Sequence, residues 1–167
     1  MICVMKERIE SLAVEAISLM RARGLSFAAA ESCTGGMLAS SITSVPGCSD
    51  VMMGAVVAYD NSVKQGVLGV SSATLEKFGA VSEETVREMV QGVACRLGAD
   101  CALATSGIAG PGGGSDEKPV GTVWVAVNVC GEISTLLLRM NDKGREHNMN
   151  AAVEEALRLL VDRLSIL

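Results

Sequence analysis

Ser32 and Cys33 stand side by side in "AESCTGG", residues 30–36, followed by Thr34, Gly35 and Gly36. A hydroxyl or thiol beside a bare backbone suits nucleophilic attack, provided that some group takes its proton. The chain has a single histidine. It is His147, in the polar stretch "KGREHNMN", far in sequence from the serine, and it reads as a solvated residue. A second stretch, "AYDNSVKQGVLGV", offers a different base, with Tyr59 ending an apolar run and Lys64 five residues on. A lysine in apolar surroundings loses proton affinity and can act as a general base. A tyrosine hydroxyl beside it can pass or hold a proton. By themselves the two also suit a surface lysine and a half-buried tyrosine. A third stretch, "ATSGIAGPGGG", residues 104–114, carries five glycines in its last eight positions. Such a loop can turn successive N–H groups toward a phosphate or carboxylate, although it also fits a plain mobile loop. It matches neither G-x-x-x-x-G-K-[ST] nor G-x-G-x-x-G, which argues against a nucleotide fingerprint.

The first stretch reads as a strand ending at Glu31 and a helix beginning near Thr34. Exposed amides in that first turn could hold an anion or a developing oxyanion. An ordinary capped turn has the same composition. Neighbouring residues of an extended segment point opposite ways, so only one of Ser32 and Cys33 faces a given pocket. A helix N-terminus lowers a thiol's pKa, which leaves both as candidates on physical grounds. Arg145 could pair with a phosphate or serve as a surface charge.

Positioning these residues requires a framework, and the pattern supplies one. Ile9, Leu12, Ala13, Ala16 and Met20 recur at helical spacing, with Gly24 where the helix should stop. An extended run over Leu25–Glu31 follows, then a helix over about Thr34–Ser44 closed by Pro46 and Gly47. "VMMGAVVAYD" is a continuous apolar run, as in a strand covered on both faces. Ser82 caps a helix with Glu83 and Glu84 in its first turn, and Gly98 ends it. "DCALATSG" reads as a buried strand, while "GTVWVAVNV" and "EISTLLLRM" read as an antiparallel pair joined through Cys130 and Gly131. Trp124 falls mid-strand and reads as core. A last helix carries Val153, Leu157, Leu160, Val161 and Leu164 inward. The expected fold is a three-layer α/β/α sandwich with a mixed, mostly parallel sheet, formed by residues 1–167 as one domain.

Composition narrows the partners. A net charge of −5 argues against a nucleic-acid binder, which needs a basic face, but leaves room for an anionic small molecule held locally. The six cysteines include no C-x-x-C and have no partnering histidines, so neither metal nor cofactor is expected. "MICVMKERIE" does not read as a signal peptide, and residues 32–49, though uncharged, are too rich in Ser, Thr and Gly for a membrane span. A cytoplasmic protein without membrane partners is expected. The sequence leaves homo-oligomer formation open.

In their order and spacing, "AESCTGG", "VVAYDNSVKQGVLGV" and "ATSGIAGPGGG…KPVGTVWVAV" resemble the CinA C-terminal domain family, also called the competence/damage-inducible protein C-terminal domain. The resemblance implies a three-layer fold like the anticodon-binding domain. It also implies a nicotinamide mononucleotide deamidase, an amidohydrolase of pyridine nucleotide salvage that releases nicotinate mononucleotide and ammonia. Many relatives carry a larger molybdopterin-binding-type domain before this one, which these 167 residues do not include. Carried over position by position, the resemblance makes Ser32 the nucleophile and Tyr59 and Lys64 its activating pair. Thr105 becomes a contact near the reacting amide, and Arg145 a contact to the nucleotide. Relatives usually place a glycine two residues before that arginine; here Lys143 holds that position and Gly144 is displaced by one.

The implied chemistry is serine acyl transfer. Neutral Lys64, helped by Tyr59, would deprotonate Ser32, and amides of Thr34, Gly35 and Gly36 would hold the oxyanion. The loop from Gly107 to Gly114, with Ser106, Gly110 and Arg145, would bind substrate. Alternatives are a non-catalytic nucleotide-binding module, or an amidase for another small amide.

Overall fold

The computed structural model describes residues 2–167. Its elements run α1 (Ile2–Arg23), β1 (Phe27–Glu31), α2 (Met37–Thr43), β2 (Met52–Val57), α3 (Asn61–Gly66), α4 (Ser72–Phe78), α5 (Glu83–Leu97), β3 (Cys101–Gly107), β4 (Thr122–Val129), β5 (Glu132–Arg139) and α6 (Arg145–Ser165), with one 3-10 turn at Cys48–Asp50. The five strands form one mixed sheet in the order β2-β1-β3-β4-β5.

Alternation along the strands builds two cores. Phe27, Ala29, Leu103, Val125 and Val127 face α1, α2 and α6, where they meet Met20, Leu38, Leu157 and Leu160. Their neighbours Ala28, Ala30, Ala102, Ala104 and Ala126 face α5 and meet Val86, Met89, Val90 and Val93. Alanine on that face lets α5 lie close to the sheet. α/β layering therefore follows from the residue pattern, as expected. Trp124 packs against the second core while staying half-buried. Among the described residues, no helix is long and apolar enough to cross a membrane.

The sheet is mixed, as expected: β1 pairs parallel with β2 and β3, while β3–β4 and β4–β5 are antiparallel, so β4 alone runs against the other four strands. The reason is the connection: β3 reaches β4 through a helix-free loop, and a parallel neighbour would need a crossover. One expectation is corrected: β2 is not covered on both faces. It is an edge strand, alternately half-buried and exposed, and a wholly apolar run carries no alternation from which to read that. Two short helices, α3 and α4, lie beyond what the residue pattern predicts, and α2 starts three residues later than expected.

At Gly92, on α5, an added Cβ would collide with the Leu68 carbonyl, so the glycine is what lets the 67–70 turn rest on the helix. Alanine normally favours a helix over glycine. Here Gly92→Ala is expected instead to destabilise by about 1–3 kcal/mol, read as a lower denaturant midpoint.

Candidate active site

The parallel strands β1, β2 and β3 end on the same side of the sheet, and β1 sends its connection one way while β3 lies on its other flank. Open α/β sheets place their crevices at such a switch point. A pocket of about 270 Å³ opens there, lined by Ser32, Tyr59, Lys64, Ser106, Gly110 and Arg145 among others.

Ser32 is fixed through the strands on either side. Its N–H donates to the Thr105 carbonyl at 3.0 Å, while the preceding Glu31 carbonyl accepts from Ala58 N–H at 2.7 Å. Asp60 caps α3 by accepting from Ser62 N–H at 2.8 Å, which turns Lys64 back into the crevice. Lys64 is only 1% exposed. Its Nζ lies 3.1 Å from Ser32 Oγ and donates to the carbonyls of Ala58 (2.8 Å) and Tyr59 (3.2 Å). Burial lowers its pKa from the ordinary value of 10.5, against the weaker opposing pull of Asp60 and then Cys33. A neutral amine has two N–H donors and one lone pair. In that form the two carbonyls would take the donors and leave the lone pair for the Ser32 hydroxyl proton.

Tyr59 is placed differently from the expectation. It is 60% exposed, and its hydroxyl accepts from Arg145 Nη2 at 3.1 Å. Its carbonyl, not its hydroxyl, meets Lys64. Arg145 also donates from Nη1 to the Gly110 carbonyl at 2.9 Å, so the segment after β2, the start of α6 and the glycine-rich loop converge at the pocket mouth. Ser106 lines the pocket, yet its hydroxyl donates to the Ala80 carbonyl at 2.6 Å.

The helix-start amides also need revision. Gly35 N–H donates to the Ser32 carbonyl at 3.1 Å and Gly36 N–H to Glu31 Oε2 at 3.0 Å. Both glycines have positive φ, 61° and 101°, so the chain makes a separate turn before α2 instead of entering it at Thr34. Among the described residues, the amides of Cys33 and Thr34 donate to no other residue, but Thr34 is fully buried and does not line the pocket, which leaves Cys33 as the amide beside the serine. Thr105 is fully buried beneath the pocket, its hydroxyl 2.7 Å from that of Thr34.

Cys33 loses the contest that the sequence left open. Burial pushes its thiol up to about 12, with the Glu31 charge adding to the rise and the residue's own backbone hydrogen bond opposing it. Such a thiol holds its proton near neutrality and is a poor nucleophile. Cys33→Ala is therefore expected to keep the hydrolytic rate proposed below, and iodoacetamide at neutral pH to leave that rate unchanged.

Reading from sequence missed Glu31, Asn61 and Val81. Asn61 and Val81 line the pocket. Glu31 carried a signal, as the one acidic residue closing the strand "FAAAE".

Fold and crevice together define an α/β sandwich whose parallel strand ends bring a buried amine to a serine hydroxyl. The model of the CinA C-terminal domain matches residues 9–164, and the chain belongs to that family. It is 46% identical over 156 residues to a CinA-like protein of Parasynechococcus marenigrum, covering 93% of this chain and 37% of that one. With a CinA-like protein of Pseudothermotoga lettingae it shares 52% identity over 111 residues, 66% of this chain and 27% of the relative. The chain thus spans well under half the length of these curated relatives. Among solved structures, the competence/damage inducible protein CihA from Agrobacterium tumefaciens superposes with a TM-score of 0.92 at 42% identity, covering 95% of this chain and 96% of that one. A CinA superfamily protein from Escherichia coli gives 0.89 at 34% identity, with 93% and 90% coverage.

Proposed function

We propose that this chain is an amidohydrolase that cleaves the carboxamide of nicotinamide mononucleotide to nicotinate mononucleotide and ammonia. The observation that carries the reading is the buried Lys64 Nζ held by two carbonyls 3.1 Å from Ser32 Oγ. Neutral Lys64 takes the Ser32 proton as Oγ bonds to the carboxamide carbon. The oxyanion falls to the amide of Cys33, the residue that lines the pocket beside the serine; one such donor typically contributes ~3 kcal/mol. Lys64 then gives its proton to the departing nitrogen, the C–N bond breaks, and ammonia leaves an acyl-serine. Water attacks that ester, losing a proton to Lys64, which returns it to Ser32 Oγ as the acid is released.

Arg145 and the loop amides near Gly110 supply the positive side of the pocket mouth, suited to the substrate phosphate. Ammonia release from purified protein should therefore be fastest with the mononucleotide, slower with the riboside and slowest with free nicotinamide. Arg145→Ala is expected to raise KM for the mononucleotide and narrow its advantage over the riboside. Binding of the mononucleotide without ammonia release would instead mark a non-catalytic module. Faster release from another amide would change the substrate.

A further inference from the structure

Glu31 is fully buried next to Ser32 in the chain, and among the described residues no cation pairs with it. A carboxylate in that situation needs donors for its lone pairs, and it has four. Oε2 accepts from Thr34 Oγ1 at 2.6 Å and from the N–H groups of Gly36 and Leu38, each at 3.0 Å. Oε1 accepts from Ala39 N–H at 2.8 Å. Every one of these partners belongs to the turn and helix that follow the serine.

The network has a direction. Since the Thr34 hydroxyl donates its one hydrogen bond to the carboxylate, the 2.7 Å contact between Thr34 Oγ1 and Thr105 Oγ1 must be donated by Thr105. The Thr105 hydroxyl thus points into the protein, while its carbonyl accepts Ser32 N–H. Thr34, two residues after the nucleophile, is tied to the carboxylate directly, and Thr105, which accepts the Ser32 N–H, is tied to it through Thr34; none of Glu31, Thr34 and Thr105 lines the pocket.

We propose that Glu31 is the positioning residue of this site, acting through Thr34 and Thr105 to hold the turn that aims Ser32 at Lys64. The inference rests on Ser32 being the nucleophile. Thr105 then serves catalysis from beneath the pocket rather than by touching substrate. Glu31→Gln keeps the shape but offers one acceptor oxygen in place of two, and its NH₂ faces an amide donor. A nucleophile displaced by about 1 Å can lose about 10²-fold in rate.

The test measures amide hydrolysis and, separately, the rate at which a fluorophosphonate labels Ser32, in wild type, Glu31→Gln, Thr105→Val and Thr105→Ser, with thermal melting as a check on folding. Expected for Glu31→Gln and Thr105→Val is a loss of about 10²-fold in kcat and in labelling. KM and the acidic limb of the pH profile should stay unchanged, because Lys64 keeps its own neighbours. Thr105→Ser, which retains the donor, should recover both rates. Raised KM with intact kcat would assign Thr105 to the substrate and overturn the proposal, as would labelling at the wild-type rate in folded variants. If Glu31→Gln fails to fold, the threonine pair decides alone. Absence of labelling in wild type would instead remove Ser32 as nucleophile, and the proposed function with it.

Discussion

Ser32→Ala is expected to lower kcat for amide hydrolysis by about 10⁶-fold while leaving the fold and KM nearly unchanged. The side chain is small, and its removal disturbs little else: Ser32 is held by its backbone, through Thr105, and its hydroxyl meets only Lys64. What disappears is the atom that bonds to carbon. Residual turnover measures what the oxyanion donors and substrate binding achieve with water as nucleophile. Residues that act as one unit are not additive, so combining this change with loss of Lys64 should cost little beyond Ser32→Ala alone. A double variant much slower than either single one would mean that the two groups serve separate steps. Single-turnover rates with ammonia detection distinguish these outcomes.

Lys64→Met is expected to lower kcat/KM by about 10⁴-fold, the upper range for a general base. Methionine keeps the apolar stem and fills the buried space, so the effect reads the amine. Lys64→Arg should fail as fully, because a guanidinium keeps its proton. In wild type, kcat/KM should rise with pH through a midpoint below 10.5, the ordinary lysine value that burial lowers. Stability carries the same signature. Between the folded and unfolded pKa of Lys64 the unfolded chain holds more protons, so this group makes unfolding harder as pH rises across that window. Below the folded pKa the slope vanishes. Lys64→Met should lack the slope, because the variant has no amine at that position from which folding strips a proton. Denaturant melts at several pH values check this.

How far the sequence discloses such a site depends on which atoms do the work. Ser32 and Lys64 were legible because hydroxyl and amine are residue types, and the ends of apolar runs are where α/β sheets expose side chains. The layers were legible too, since strands such as "CALATSG" and the α5 stripe announce their burial. The Lys64 cradle was not. It consists of the carbonyls of Ala58 and Tyr59, and backbone acceptors have no letter. For the same reason Glu31 looked like the end of a strand, when three of its four partners are amides. Tyr59 was recognised as a site residue, but its hydroxyl answers to Arg145, 86 positions away. The edge position of β2 follows from strand order, which local pattern does not contain.

The central claim is that Lys64 stands uncharged against Ser32 at working pH. Nitrogen-15 NMR of the lysine side chains, with Lys64 assigned by its absence in Lys64→Met, titrates that amine directly. The account predicts a midpoint below 10.5 that coincides with the rise of kcat/KM in wild type. A Lys64 amine that stays protonated through the pH range of activity, titrating at or above 10.5, would contradict it.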